Sequence, residues 1–351
     1  MDKEKSRGSR AFRWALVIIA LVNVLCIAVV LCVLWQRLED YEEKSPAAAM
    51  DAFFADVQAG RTAEIVARLD RRGINTAEDY TAWLQQTFSG DAAGYRYAPV
   101  SDGKTGHRYA VYDENGERKG EVRLFSENGE TGPWTVQPAI TYLSAYTVRA
   151  PAYVRVLLNG RPLPDSVRTD KSEPVALFDA QRDENRIPHM AEYVVEDLLG
   201  IPAFTAQTPQ GEACLVTQDD EARTVTVHVP VTGDDLQACE QQIETVAKLY
   251  ARYISQDAQL SELAAHIYKD TDFYDAVRAY DGQYYNKHIS YAFEKFTISN
   301  VERFSEDTFA GDVSFDYVIK RTHDTHTFPT KYRMGFQKID GKYQLVELRF
   351  T

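Results

Sequence analysis

With 351 residues, 44% of them hydrophobic and 26% charged, the chain is long enough for two or three packed domains and too apolar to be disordered. Its formal charge of −13 opposes nucleic acid and anionic lipid surfaces as partners. Glycine-rich phosphate loops, Gly-x-Ser-x-Gly elbows and Cys-x-x-Cys pairs are absent from the sequence, so no cofactor and no motif-borne catalysis is expected.

The apolar residues concentrate first in Trp14 to Trp35, 22 residues without a charge. At about 1.5 Å per residue such a helix spans roughly 33 Å, enough for a hydrocarbon core of about 30 Å. Trp14 and Trp35 fall at the two membrane interfaces, and Asn23 is the one strongly polar side chain between them. Lys3, Lys5, Arg7, Arg10 and Arg13 precede the span, while Glu39, Asp40, Glu42 and Glu43 follow it. The positive-inside bias therefore predicts a single-pass cell-membrane protein: a cytoplasmic basic tail over 1–13, a transmembrane helix over 14–35, a juxtamembrane linker over 36–45 and an extracytoplasmic remainder. A cleaved signal peptide would have a shorter apolar core and a small-residue cleavage site, where Gln36-Arg37-Leu38 stands instead. Cys26 and Cys32 follow Leu25 and Leu31, not the small residue a lipoprotein needs, and read as ordinary helix residues. Leu31, Leu34, Leu38 and Tyr41 continue a heptad-like seam toward Lys44 that suits pairing with a second copy as a homodimer.

Ser45-Pro46 opens a helix with an N-cap and a first-turn proline, and Met50, Phe53, Phe54 and Val57 share one face of it. A second helix carries Ile65, Val66 and Leu69, and a third begins at Thr76 with Tyr80, Trp83, Leu84 and Phe88. The period then switches to two. Tyr95 to Pro99, Arg108 to Tyr112, Glu121 to Phe125 and Trp134 to Tyr142 read as strands, with hairpin turns at Asn115-Gly116 and Asn128-Gly129. From 146 to 231 the signal is strand-like at Tyr153 to Leu158, Tyr193 to Val195, Ala213 to Thr217 and Thr224 to Val229, and the charged stretch Asp179 to Asn185 reads as a solvated loop. The last segment repeats the first. Leu236, Cys239, Ile243, Val246, Tyr250 and Tyr253 line a long helix, and shorter helices follow at Leu260 to Tyr268 and Phe273 to Tyr280. The strands come next, with a phase slip between Phe293 and Phe296 that predicts a β-bulge, then an Asp340-Gly341 turn.

These elements predict an α+β chain: an N-terminal transmembrane helix, then two cone-shaped domains of helices plus a curved antiparallel sheet, at 46–145 and 232–351, flanking a small β-sandwich-like domain at 146–231. The segment 232–351 is expected to carry a core of its own. The layout resembles the nuclear transport factor 2-like superfamily at both ends. Ser45 to Phe54, Gly120-Glu-Val-Arg-Leu124 and Pro133-Trp134 look like membrane-tethered versions of bacterial cell envelopes. The whole plan is similar to the teicoplanin-resistance-associated membrane proteins of Gram-positive bacteria, which typically carry a cytoplasmic zinc ribbon that the tail here lacks. The superfamily includes ketosteroid isomerase, but its carboxylate base and tyrosine donor have no residue-by-residue match here.

Tyr250, Tyr253, Tyr291 and Tyr317 are the ligand-pocket candidates, as hydroxyl-bearing residues that would point into the C-terminal cone, or equally its aromatic core. His323-Asp324-Thr325-His326 holds metal-ligand residue types, but positions three apart in a strand face opposite sides, so no metal is expected. Cys214 and Cys239 either form a disulfide clamping two domains or leave Cys239 as a packed thiol. The expectation is a non-enzymatic tethered protein that binds or scaffolds a protein partner or a cell-wall component. The alternative is a small-molecule sensor or enzyme using the C-terminal cavity.

Overall fold

The computed structural model describes residues 5–43, 45–88, 90, 94–103, 106–126, 133–282 and 287–351, so the Asn128-Gly129 turn lies outside the described residues. Contacts divide the chain into two compact units, Met1–Tyr142 and Leu143–Thr351.

The first unit starts with α1 (Lys5–Glu43), one continuous helix whose Trp14–Leu38 portion is long and apolar enough to cross a membrane. Asn23 donates its Nδ2 to the Ile19 carbonyl at 2.9 Å, so one of its two N–H groups is engaged inside its own helix. α2 (Pro46–Gln58) begins as expected, with the Ser45 side chain accepting from Ala48 N–H. α3 (Ala63–Ala67) is short, and α4 (Ala77–Thr87) starts in a capping box between Thr76 and Asp79. The sheet runs β1 (Arg96–Gly103), β2 (Gly106–Tyr112), β3 (Arg118–Ser126) and β4 (Trp134–Pro138), antiparallel and in chain order. Its core face buries Val111, Val122 and Leu124 beneath Phe54, Leu84 and Phe88 of the helices. β4 stops at Pro138, four residues short of the expected Tyr142, whose hydroxyl instead bonds Tyr80 and the Asp70 carbonyl.

The second unit opens with two small sheets. One has the order β10 (Phe204–Gln207), β6 (Arg155–Leu158), β7 (Arg161–Pro162). The other has the order β11 (Leu215–Asp219), β12 (Thr224–His228), β5 (Tyr146–Pro151), β9 (His189–Val195), β8 (Arg168–Pro174), with β12 and β5 parallel and the remaining pairs antiparallel. Next come α5 (Gly233–Ile254), α6 (Leu260–Leu263) and α7 (Asp272–Arg278). They sit on a long antiparallel sheet of β13 (Ser290–Ser305), β14 (Thr308–Lys320), β15 (Thr325–Ile339) and β16 (Lys342–Phe350). Register shifts at Glu294/Thr297, Ser299/Glu302 and Arg303/Ser305 bend β13, the first of them at the predicted slip, where Lys295 takes a positive φ of 52°. Bending wraps the sheet around α5, whose Cys239, Ile243, Val246, Ala247 and Ala251 fill the core with Phe309, Phe315, Met334, Phe336 and Leu345. The stretch Thr325 to Pro329 belongs to β15.

Asp179 to Asn185 is an irregular, mostly exposed stretch, as expected, but it is tied down through buried Ala180 and Gln181 and through its charged side chains. Phe178, just before it, is fully buried and packs with Leu177 against Ala310 and Val346 on the outer face of the curved sheet, its ring 5.7 Å from Phe304. Gly335 of β15 leaves the room, since a Cβ there would stand 3.0 Å from Leu177 Cγ. Arg182 then pairs with Asp272 at 3.1 Å and also with Asp275, while Arg349 reaches Asp179 at 2.7 Å. These contacts are why 146–231 and 232–351 share one compact unit.

Candidate functional site

The open end of the C-terminal cone holds a cavity of about 680 Å³. The last turn of α5 supplies Tyr250, Ala251 and Ile254, α7 supplies Phe273, Ala276 and Val277, and the sheet supplies Tyr317, Phe328, Tyr332 and Phe350. The register explains the sheet wall: Tyr317 lies opposite Phe328 and Tyr332 opposite Phe350, so alternate residues of three strands meet on one face. Phe328 and Phe350 are exposed at 41% and 74%, which leaves large apolar surface at the mouth.

One wall is polar. Ser255, at the C-terminal cap of α5, lies 2.8 Å from Tyr317 OH and donates to Asp257 Oδ2 at 2.7 Å. Tyr317 OH is 3.2 Å from the same oxygen, and His288 Nε2 meets it at 3.0 Å with its own side chain 5% exposed. Gln256, between Ser255 and Asp257, takes a left-handed φ of 63°, which turns the chain sharply enough to aim both neighbours at Tyr317. Burial pushes the Tyr317 phenol far above its ordinary value, with the Asp257 carboxylate adding to the effect, and burial does the same to Tyr332. Both stay neutral hydroxyls at physiological pH.

Of the four tyrosines chosen from sequence, Tyr250 and Tyr317 line the cavity. Tyr253 does not: its hydroxyl donates to the Val277 carbonyl at 2.8 Å and, with Tyr280 donating to Ile254 at 2.9 Å, it ties α7 to α5. Tyr291 packs behind Tyr317 at 5.8 Å between ring centres. Ser255, Asp257 and His288 were missed by sequence reasoning because they belong to no local motif and meet only through the fold.

Cys214 and Cys239 are free thiols, which corrects the disulfide alternative. Cys239 is packed into the cone core, where burial pushes its thiol up to about 11, whereas Cys214 immediately precedes β11 with its Sγ 3.9 Å from the Glu212 carbonyl. His326 sits 2.9 Å from Asp324 and stacks on Phe328. Among the described residues no three His, Cys, Asp or Glu side chains gather as a metal would require. Trp14 and Trp35 lie at 68% and 66% exposure on α1, at the ends of its apolar stretch.

The fold and site together define a helix-plus-curved-sheet domain with an open, aromatic-walled end. A solved structure described as "Ntf2 like protein involved in plasmid conjugation" is similar, at 7% identity over 73% of this chain and 75% of that one, with a TM-score of 0.24. No family model matches the chain, and no curated protein does.

Proposed function

We propose that the chain is a membrane-tethered extracytoplasmic binding protein whose C-terminal cone takes up a small, largely apolar molecule. The observation that carries this reading is the cavity of about 680 Å³, which falls in the roughly 300–1,000 Å³ range of small-molecule sites. Its walls are mostly aromatic and aliphatic, with a few hydroxyls, among them those of Ser255, Tyr317 and Thr330, of the kind that fix a ligand's orientation. Ser255 and Tyr317 spend their hydroxyl protons within the Asp257 cluster, so they offer lone pairs to the cavity and suit a ligand hydroxyl or N–H. The same mutual engagement favours binding over turnover.

The test uses the full chain in nanodiscs and the apolar fluorophore N-phenyl-1-naphthylamine, corrected against empty discs. Saturable binding is expected, and Ala276→Trp, which fills the mouth from the exposed side of α7, should weaken it more than about tenfold. Equal binding by the variant would sink the proposal. A scaffold for a protein or cell-wall partner would use the same tether without the cavity, and Ala276→Trp would leave its partner binding intact.

A further inference from the structure

The first unit contains a second concavity, of about 600 Å³, with a chemistry opposite to that of the chain as a whole. It lies just beyond the end of β4, where Ala139, Ile140 and Thr141 run on beside β3 and the Ala139 N–H donates to the Glu121 carbonyl at 2.8 Å. Arg108, Arg118, Lys119 and Arg123 line it beside Trp83, with Glu121 the one carboxylate among them. In a chain of net charge −13 this is a local excess of positive charge.

The charges do not cancel. Arg108 and Arg123 are direct cross-strand partners on β2 and β3, a like-charge juxtaposition that costs stability unless something lies between. Glu121, its side chain 16% exposed, accepts from Arg108 on one oxygen and from Arg118 on the other. Its single negative charge is therefore shared by two guanidinium groups. Arg123 has no protein partner among the described residues, and the Nε of Arg108 is buried with none. Lys119 is accounted for separately by Asp113 at 3.1 Å and Glu117 at 3.4 Å.

We propose that this concavity binds a phosphate ester. Guanidinium forks recognise oxyanions through paired N–H donors, and three of them converge here. A carboxylate offers two oxygens and one carboxylate is already in place, whereas a phosphate ester offers up to three further acceptors, matching the unused N–H groups of Arg108, Arg118 and Arg123. Trp83 gives the concavity a flat apolar flank suited to the sugar or glycerol that carries the phosphate. Glu121 acts as a built-in competitor that keeps Arg108 and Arg118 positioned and sets the affinity low. The site is independent of the C-terminal cavity.

The experiment is calorimetric titration of the full chain, in nanodiscs of zwitterionic phosphatidylcholine, with inorganic phosphate and with glycerol 3-phosphate. Flotation with phosphatidylglycerol vesicles forms a separate arm. Binding should weaken as salt is raised. Arg123→Ala removes an exposed, unpaired side chain and should weaken binding about tenfold, the size of one charge-assisted contact, without lowering the melting temperature, since relief of the like-charge pair with Arg108 acts in the stabilising direction. Glu121→Gln, nearly isosteric, should tighten binding by a similar factor because the competitor's charge is gone. Response to the soluble esters identifies a free or polymer-borne phosphate as the ligand source, and response to the vesicles alone identifies a lipid headgroup. Absence of binding in both arms, or affinities unchanged in both variants, overturns the proposal.

Discussion

Replacing Phe178 by alanine tests how the small sheets are held to the C-terminal cone. The ring is fully buried against Ala310, Val346 and Phe304, next to a glycine at 335. Phenylalanine-to-alanine changes in cores cost about 3–5 kcal/mol, the larger losses arising where neighbours cannot collapse into the hole. Ala310 and Gly335 have no side chain long enough to fill it, so a loss near 4 kcal/mol is expected by that rule. All four tryptophans lie before residue 143, so the segment 143–351 should be unfolded in urea and followed by far-ultraviolet circular dichroism. The midpoint should fall while the denaturant slope stays constant. Over 232–351 alone, with Phe178 absent altogether, the sheet face around Ala310 and Val346 is uncovered, and the transition should come at still lower urea with binding of a hydrophobic dye. A loss below about 1 kcal/mol for Phe178→Ala would refute the reasoning, since a buried ring that costs so little is not filling the space described.

Gly311→Ala should destabilise the cone by about 1–3 kcal/mol, because the new Cβ would stand 2.5 Å from Ile243 Cδ1 of α5 and overpack the core; adding Ile243→Val should recover part of the loss in the same urea experiment. Burial raises the Glu347 carboxyl above its ordinary value, against the opposing pull of Arg349. A raised folded-state value means that folding favours the protonated form, so the contribution is present below the ordinary carboxyl range and lost as pH rises through the raised value. Glu347→Gln, which keeps an oxygen to accept the Leu348 N–H, should therefore raise the melting temperature at about pH 7 and leave it nearly unchanged at about pH 4. An equal gain at both pH values would show that the charge is not the cause.

Periodicity carried the elements that depend on one sheet face or one helix stripe. The spacing from Phe293 to Phe296 located the bulge in β13, and the Cys239–Ile243–Val246 stripe located the buried face of α5. Local chemistry located Ser45 as a cap and the start of α4 at Thr76, where the structure places its N-cap. Elements that rely on neighbours were invisible. β8, with the sequence Arg168-Thr-Asp-Lys-Ser-Glu-Pro174, is an edge strand exposed along nearly its whole length and shows no apolar alternation. The anchoring of the Asp179 to Asn185 loop has no sequence signal because its partners, Asp272, Asp275 and Arg349, are some 90 or more positions away in sequence. The cavity shows the same division. Tyrosines could be chosen by type, but the choice between Tyr250 facing the cavity and Tyr253 bonding a carbonyl of α7 depends on where α7 lands.

The Asn23 side chain of α1, donating one turn back to Ile19, bears on how copies of the protein meet. A span with a spare amide in hydrocarbon is drawn to any neighbour that can satisfy it, and the anchor then becomes an oligomerisation device. Here one N–H is engaged one turn back, and the second N–H and the side-chain carbonyl keep their capacity for a neighbour. In a bilayer that remaining capacity would favour a polar neighbour, so this helix as well as the folded units would bear on how copies come together.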